Sequence, residues 1–277
     1  MARQSPPRVT EEDRRAYRED GVICLRGMFD RAWTDRMYRA IDRVLVSPGA
    51  RAREAVKPGE SGRFHVNSFV SRWDDDFKDF VLHSPGAEIA GQLLDADEIR
   101  FFYDQVFVKE PQTASITQWH HDLPFWPVRG EQVVSIWLAL TPVTKETSGV
   151  QYAAGSHRWN KFYRAITPDE DPRFTTASEA CPDFIANPDP AVRLLSWDME
   201  PGDVLVHHPL TAHGASGNAS SDHRRLAIST RYMGSGVTWD PRPATMSIPG
   251  AAGIEPGAPL TCDPFPIVWR RASGNVG

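Results

Sequence analysis

The sequence predicts an α+β protein with a mainly β core, in which a sandwich or barrel of short strands follows a set of helices. Apolar residues recur at helical spacing through the first part of the chain, about 10–95. From about 99 to 235 the pattern changes to short strand-like runs. The 23 prolines and 20 glycines among 277 residues indicate many segments joined by turns. Helices followed by strands are typical of the α+β class, and we expect a single domain over 1–277.

Residues 10–47 are predicted to form a helix, a strand and a second helix. Thr10 precedes three acidic residues, and a threonine followed by negative charge in the first turn is typical of a helix start. The short apolar run at 22–25 suits a buried strand. Asp30 begins the second helix, whose apolar side chains recur every three or four residues at Trp33, Met37, Ile41 and Val44.

The remaining elements are predicted from apolar runs and the turn-forming residues between them. We expect a loop at 48–70, helical structure over 74–95, and strands at 100–109, 133–140 and 204–208. The irregular, proline-rich segment 165–195 has the length and mixed polarity of a mobile lid over a binding site. The tail, 240–277, is rich in proline, glycine and alanine and is expected to wrap around the surface.

Composition and charge exclude several classes of protein. Apolar residues make up 40% and charged residues 24%, as in ordinary globular proteins. The 31 basic and 36 acidic residues give a net charge of −5, which predicts neither a nucleic-acid nor an anionic-membrane partner. The 3 cysteines are far apart and lack the spacing of a zinc site. No apolar run reaches about 18 residues, the length of a membrane-spanning helix, and the polar N-terminal residues lack the apolar core of a signal peptide. We therefore expect a cytoplasmic protein. The sequence does not predict its oligomeric state.

The segment Trp119-His120-His121-Asp122 has the pattern of a metal site. In an extended strand His120 and Asp122 point to the same face, because side chains alternate with a period of two. An imidazole and a carboxylate side by side can occupy neighbouring positions on a divalent metal. His213, which follows a strand-like run, can supply a third ligand. Two histidines and one carboxylate on one octahedral face are the ligand set of non-haem Fe(II) oxygenases.

Two arginines, Arg224 and Arg225, begin a strand-like run shortly after His213. If the iron binds a dianionic 2-oxo acid, the charges of the iron, Asp122 and the acid add up to −1. A single buried guanidinium neutralises that charge and can bind the distal carboxylate of the acid through two hydrogen bonds. Because neighbouring residues of a strand face opposite sides, at most one of the two arginines points inward.

Several segments together carry a resemblance to a known family: DQVFVKEP, WHHDLPFWP, VSIWLAL, GVQYAAGSHRW, PGDVLVHHPLTAHGASGN and RRLAISTRY. In this order and spacing they resemble the phytanoyl-CoA dioxygenase family, as does the N-terminal EDGVICLRGMF, so the likeness runs from about 10 to 245. The resemblance implies a double-stranded β-helix, or jelly roll, flanked by N-terminal helices. It also implies an oxygenase that uses Fe(II), 2-oxoglutarate and O2, acts on a small molecule, and releases succinate and CO2.

Carried over residue by residue, the resemblance assigns iron ligands and cosubstrate contacts. The implied iron ligands are His120, Asp122 and His213. Trp137 matches a family tryptophan beside 2-oxoglutarate, while Gln105 and Lys109 lie on a strand that borders the cosubstrate in relatives.

The arginine that holds 2-oxoglutarate is implied by the strand register of the resemblance. Spacing from His213 favours Arg224, but the Ala-Ile-Ser register that follows places Arg225 on the inner face, and we choose Arg225. The sequence departs from the family pattern at His121, where relatives often have glutamine, and at Ala215, where a serine often helps to bind the cosubstrate.

The residues around the metal motif are assigned by their position in the chain. Phe125 and Trp126 directly follow it, so we expect both to line the open face of the iron and to contact a mainly apolar substrate. Among the other histidines, His208 is expected to pack beside the ligands and His157 to stabilise a turn. His207, on the face opposite to His208, is expected to take no part in catalysis.

The predicted reaction is hydroxylation of an unactivated C–H bond in a small, largely apolar molecule. Desaturation or epoxidation with the same cofactors, hydrolysis at a zinc-substituted site, and a non-catalytic jelly-roll binding module are the alternatives. A hydrolase needs no buried arginine opposite the metal ligands, and a binding module should keep its ligand when the metal residues are lost. Halogenation is disfavoured because halogenases of this type have alanine or glycine in place of the metal-binding carboxylate, whereas Asp122 is present.

Overall fold

The α-helices lie in the N-terminal part of the chain. The computed structural model describes residues 8–56, 59–164, 179–243 and 245–272. Within these ranges the α-helices are α1 (Glu11–Asp20), α2 (Arg31–Val46), α3 (Asp75–His83) and α4 (Gly86–Leu94). None of the helices in the described ranges has the length and apolar composition needed to cross a bilayer.

The predicted helix starts are confirmed. The Thr10 side chain accepts a hydrogen bond from the Asp13 amide, and the Asp13 carboxylate accepts one from the Thr10 amide. The Asp30 carboxylate caps α2 in the same way through the Trp33 amide at 3.0 Å. The helical segment predicted over 74–95 is divided into α3 and α4 at Pro85, because proline lacks an amide hydrogen and disfavours a helical residue before it.

A large sheet of eight antiparallel strands forms the centre of the fold. In spatial order it contains β1 (Val22–Leu25), β10 (Val204–His207), β7 (Val133–Ala139), β12 (Arg225–Met233), β4 (Glu98–Lys109), β3 (Phe64–Ser68) and β2 (Ala52–Glu54), and β14 (Ile267–Arg270) also pairs with β4. The strands predicted at 100–109, 133–140 and 204–208 are confirmed, with small shifts at their ends.

Two parts of the chain differ from the prediction. The predicted loop 48–70 contains β2 and β3, because Phe64–Ser68 extends the sheet along residues 105–109 of β4. The tail also contributes to the sheet, since β14 pairs with residues 98–100 of the same strand and Phe265 is fully buried. These strands are short and lie among glycine, proline and arginine residues, so their composition resembles that of loops.

A smaller antiparallel sheet packs against the large one. It contains β5 (Thr117–His120), β11 (His213–Ala215), β8 (Val150–Ala153) and β9 (Leu194–Leu195), in that order, and a separate short pair joins β6 (Val128–Arg129) to β13 (Thr238–Trp239). Val150 and Tyr152 of β8 share an apolar cluster with Trp137, Leu205 and Ala227 of the large sheet. Two facing antiparallel sheets preceded by helices confirm the predicted α+β class with a mainly β core.

The large sheet has an apolar face and a polar face. Val106 of β4 and Leu226 and Ile228 of β12 point toward the helices and join their apolar cluster. The residues that alternate with them point toward the small sheet, and apart from Phe107 and Ala227 they are polar or charged: Tyr103, Gln105 and Lys109 on β4, and Arg225, Ser229 and Arg231 on β12. Charged side chains between two packed sheets need a partner there, so this space is where a polar ligand is expected.

Candidate active site

The three predicted metal ligands come together at one end of the space between the sheets. His120 of β5 lies opposite His213 of β11, and their ring centroids are 4.2 Å apart. Asp122 lies in the turn that follows β5. The amides of Asp122 and Leu123 donate hydrogen bonds at 2.9 and 3.0 Å to the carbonyl of Pro209, which lies in the loop before β11. One potential ligand atom from each of His120, Asp122 and His213 lies within 4.8 Å of the others.

Both histidines present the same nitrogen to this space. Nδ1 of His120 lies 2.7 Å from the carbonyl oxygen of Gln118, and Nδ1 of His213 lies 2.9 Å from that of Thr211. Because a carbonyl only accepts, Nδ1 carries a hydrogen in each ring, so in the neutral form of either imidazole Nε2 keeps its lone pair. Burial also holds the pKa of His213 well below its ordinary value, so the ring is neutral. A neutral imidazole with a free Nε2 is the form that binds a metal.

The Asp122 carboxylate is held by donors on the large sheet. Its Oδ2 accepts a hydrogen bond from Ser135 Oγ at 3.1 Å and from His207 Nε2 at 3.3 Å. The Oδ1 atom faces His120, 3.8 Å from Nε2. Burial alone would raise the pKa of Asp122, but the hydrogen bond from His207 and the nearby charge of Arg231 hold it well below the ordinary value. The carboxylate is therefore ionised.

The expectations for the two adjacent histidines were wrong about which one faces the ligands. His207 points inward with Leu205 and contacts Asp122. His208 lies past the end of β10 and packs near His157 and Tyr17, with ring centroids 5.2 and 6.5 Å away. The run 204–207 is apolar on both faces up to its last residue, so sequence alternation alone does not show which face is internal.

Sequence reasoning also missed Ser135 and Tyr152. Ser135 lies two residues before Trp137 on β7, so the predicted inward position of Trp137 implies that Ser135 faces the same side. That signal was present in the sequence. Tyr152 stacks near His213, with ring centroids 5.5 Å apart, and its hydroxyl lies 3.2 Å from His207 Nδ1. A tyrosine in a strand is usually a core residue, so the residues around Tyr152 did not indicate a position beside the metal ligands.

A buried guanidinium occupies the other end of the inner face. Arg225 is 2% exposed and lies over the Trp137 ring, 5.5 Å from its centroid. Within the described ranges no carboxylate forms an ion pair with Arg225, and its Nε has no hydrogen-bond partner. Burial lowers the pKa of Arg225 to about 10. Arg224 points the other way, where it forms an ion pair with Asp42 of α2 at 2.6 Å.

Lys109 lies opposite Arg225 on the neighbouring strand. It is fully buried, and its Nζ donates to the carbonyl of Ser216 at 2.7 Å and to Ser148 Oγ at 3.0 Å. Burial, together with the charge of Arg225, lowers the pKa of Lys109 to about 6. Two basic groups therefore share this end of the inner face.

Gln105 and its neighbours line the inner face between the two ends. Gln105 accepts a hydrogen bond from Arg231 at 3.0 Å and donates one to Ser68 Oγ at 3.2 Å. Ser229 lies opposite both Gln105 and Trp137, and its buried hydroxyl has no partner among the described residues. Arg231 is 4% exposed and lies 4.4 Å over the Tyr103 ring. The predicted cosubstrate residues thus share one surface with the metal cluster.

The expectation that Trp126 lines the open face requires correction. Trp126 is completely buried, and its indole N–H donates to the Tyr103 hydroxyl at 2.8 Å inside an aromatic cluster with Phe102. Its one polar group is bound to Tyr103 and its rings pack within this cluster, so Trp126 is a core residue here and does not line an open face. Phe125 is only half-buried and packs at the edge of this cluster. The polar end of an indole favours such a buried partner.

The predicted lid divides into two parts. Residues 165–178 lie outside the described ranges. The remainder is attached to the small sheet, where β9 pairs with β8 and the Phe184 ring packs 5.0 Å from Trp119 and 5.9 Å from Trp159.

Comparison with known proteins identifies the family. The model of the phytanoyl-CoA dioxygenase family matches residues 17–226. The multifunctional dioxygenase ausE of Aspergillus calidoustus is 31% identical over 255 residues, which cover 83% of this chain and 78% of the relative. The 1-deoxypentalenic acid 11-beta-hydroxylase of Streptomyces arenae is 26% identical over 237 residues, covering 79% of each protein.

Solved structures share the fold. The epimerase SnoN, in complex with Fe3+, alpha ketoglutarate and nogalamycin RO, superposes with a TM-score of 0.75 and 23% identity over 94% of this chain and 98% of its own. EctD from S. alaskensis, with 2-oxoglutarate and 5-hydroxyectoine, gives a TM-score of 0.69 and 17% identity over 91% of this chain and 85% of its own. The predicted jelly roll is confirmed. Because the family model covers most of the sequence, the chain belongs to the phytanoyl-CoA dioxygenase family and is an Fe(II)- and 2-oxoglutarate-dependent dioxygenase.

Proposed function

We propose that this dioxygenase hydroxylates an unactivated C–H bond of a small, largely apolar molecule, with release of succinate and CO2. The observation that carries the proposal is a pair of sites on one inner surface. A cluster of two histidines and an aspartate lies at one end, and a buried guanidinium without a carboxylate partner among the described residues lies at the other. The first suits a divalent metal, and the second suits the distal carboxylate of a dicarboxylic cosubstrate.

The proposed iron ligands are Nε2 of His120, Oδ1 of Asp122 and Nε2 of His213. The donor set fits Fe(II), because it combines two neutral imidazoles with one ionised carboxylate and leaves three octahedral positions open. When bound, the iron with 2-oxoglutarate and O2 supplies the oxidising power that the side chains lack. The protein residues hold the ligands in place and keep their protonation states fixed.

The proposed cosubstrate residues are Arg225, Trp137, Gln105 and Lys109. Iron, Asp122 and dianionic 2-oxoglutarate together carry one excess negative charge, and Arg225 supplies one positive charge in a site from which water is excluded. Trp137 lies beneath the Arg225 guanidinium and restricts where the carboxylate can lie. Ala215 lacks the hydroxyl of the family serine. Lys109 and the Ser229 hydroxyl, which has no partner among the described residues, are proposed as further donors.

The substrate wall is proposed to include Phe125, with Trp126 packed behind it. A half-buried aromatic ring beside the metal motif offers apolar contact area at small entropic cost. We propose a hydroxylase because a relative is named for hydroxylation and Asp122 keeps the carboxylate that halogenases of this type lack. The whole chain is proposed to act as one unit, since β14 belongs to the same sheet as the site residues of β4.

The affinity for 2-oxoglutarate is expected to decrease with rising pH. The pKa of Lys109 is lowered to about 6 in the free protein, so its amine is mostly neutral above that pH. A carboxylate bound beside it raises this pKa, so binding takes up a proton, and the affinity falls by up to about tenfold per pH unit between about pH 6 and 8. Calorimetry with Mn(II) in place of Fe(II), in buffers of different ionisation enthalpy, measures both the affinity and the proton uptake.

The matched variant for this measurement is Lys109→Met, which removes the titrating group and keeps most of the side-chain volume. Its affinity should be weaker at low pH and should lack the pH slope of the parent. A parent protein whose affinity is constant from about pH 6 to 8 would exclude Lys109 from the cosubstrate site.

The proposed reaction is tested by isotope labelling. Purified protein with Fe(II), 2-oxoglutarate and a panel of apolar small molecules is screened for substrate-stimulated succinate formation, and the reaction is then repeated under 18O2. Hydroxylation and epoxidation each add one 18O atom and give the same mass change, so the two are distinguished by NMR, because only epoxidation removes a carbon–carbon double bond. Desaturation removes two hydrogens and leaves the product unlabelled. Substrate binding without any succinate formation would instead indicate a non-catalytic binding module.

A further inference from the structure

A hydrogen-bonded chain connects both sheets to the carboxylate of the metal cluster. The Tyr152 hydroxyl lies 3.2 Å from Nδ1 of His207, and Nε2 of His207 lies 3.3 Å from Oδ2 of Asp122. A carboxylate only accepts, so Nε2 carries a hydrogen, and in the neutral imidazole that burial favours, Nδ1 accepts the hydrogen of the tyrosine. All three residues are buried, with exposed fractions of 0, 3 and 7%. The direction of every hydrogen bond in this chain is therefore fixed.

The chain distinguishes the two oxygens of Asp122. Oδ2 receives hydrogen bonds from both His207 and Ser135, which arrive from neighbouring strands β10 and β7. Oδ1 has no such donor among the described residues and faces Nε2 of His120 at 3.8 Å. Two donors from the rigid large sheet thus orient the carboxylate so that one oxygen is directed to the metal cluster.

We propose that His207 is a positioning residue that keeps Asp122 a one-oxygen ligand of the iron. The proposal rests on the assignment of Asp122 as a ligand in the proposed function. An octahedral metal with three protein ligand atoms has three positions left, which 2-oxoglutarate (two atoms) and O2 (one atom) fill completely. If Asp122 bound through both oxygens, only two positions would remain for three atoms. Holding Oδ2 away from the metal therefore keeps the third position available.

The neighbouring histidine provides a matched comparison. His208 follows His207 in the chain but lies past the end of β10, near His157 and Tyr17, and contacts no residue of the metal cluster among the described residues. His208→Leu makes the same chemical change as His207→Leu without touching Asp122. His207→Gln retains a nitrogen donor at about the place of Nε2 and is expected to restore the hydrogen bond.

The experiment uses Co(II) as a spectroscopic probe of the metal site in the full-length protein. Co(II) is titrated into the parent and the three variants, its visible absorption is recorded, and 2-oxoglutarate is then added. Changes in the groups that support metal ligands typically cost about 10- to 100-fold in affinity. We expect His207→Leu to bind Co(II) about 10- to 100-fold more weakly and with an altered spectrum, and to bind 2-oxoglutarate more weakly than the parent. His207→Gln and His208→Leu should resemble the parent.

A smaller substitution provides the test if His207→Leu does not fold. Tyr152→Phe removes only the hydroxyl that orients His207 and should shift the Co(II) spectrum in the same direction by a smaller amount. The inference would be overturned if folded His207→Leu kept the Co(II) spectrum and the 2-oxoglutarate affinity of the parent. Where His207→Leu does not fold, the same result in Tyr152→Phe would overturn it. Either result would leave the proposed ligands in place. A parent protein that binds no Co(II), or an Asp122→Ala variant with the parent's spectrum, would contradict the proposed function itself.

Discussion

Replacing Asp122 with alanine is expected to abolish iron-dependent turnover. The carboxylate is the only anionic member of the candidate metal cluster, and two neutral imidazoles alone compensate little of the charge of a divalent ion. By analogy with breaking a buried ion pair, the Fe(II) affinity should fall by at least about 100-fold. Anaerobic Fe(II) titration gives the affinity, and succinate formation with a substrate from the screen gives the turnover.

Asp42→Ala is the control for this experiment. Asp42 is also an aspartate paired with a basic group, but it lies on α2 and contacts Arg224 on the outside of the large sheet. Its loss should leave metal binding and turnover within about twofold of the parent, since exposed pairs contribute little. Hydroxylation that survives in Asp122→Ala would show that the metal is held elsewhere.

The second large effect is expected for Arg225→Ala. The variant leaves a carboxylate of 2-oxoglutarate in a buried space without its charge partner, which should cost about 2–5 kcal/mol of binding free energy, or about 30- to 5000-fold in the dissociation constant. Arg224→Ala, one residue away, removes a contact to Tyr38 and Asp42 and should change the constant by less than about threefold. Both constants can be measured by calorimetry with Mn(II) in place of Fe(II).

The pair of arginine variants tests the register of β12 directly. A large effect in Arg224→Ala with none in Arg225→Ala would mean that the inner face of the strand is shifted by one residue. Comparable losses in both variants would point to damage to the sheet, which circular dichroism and thermal unfolding would show. Arg225→Lys should bind 2-oxoglutarate more strongly than Arg225→Ala, because lysine restores the positive charge but cannot form the bidentate contact of arginine.

Much of the candidate site could be predicted because its residues obey local rules. The spacing of His120 and Asp122 predicted that they share a metal site, and the structure brings both beside His213, although Asp122 lies in the turn after β5 and not in an extended strand. Strand alternation orders Arg225, Ala227 and Ser229 on one face and leaves Arg224 outside. Helix starts at Thr10 and Asp30 were likewise predictable, because a cap depends on neighbours only a few residues away.

Features that depend on distant contacts were not predictable in this way. The strand Phe64–Ser68 forms because β4 offers a free edge, which the loop-like sequence around it does not reveal. Trp126 is buried against Phe102 and Tyr103 of β4, residues more than 20 positions away in the chain, and donates a hydrogen bond to Tyr103. The inward orientation of His207 depends on how β10 is placed between β1 and β7, and the apolar run before it fits either face equally well.

The position of β12 limits how far the protein can be shortened. The family match ends at residue 226, only one residue after Arg225. Strand β12 continues to Met233 and lies between β7 and β4. Strand β14, which ends at Arg270, pairs with one edge of β4. A protein cut at the end of the match would lose most of a central strand, together with Ser229 and Arg231. The family match is therefore narrower than the sheet that carries the site residues, and we expect a shortened enzyme to need the chain through at least residue 270.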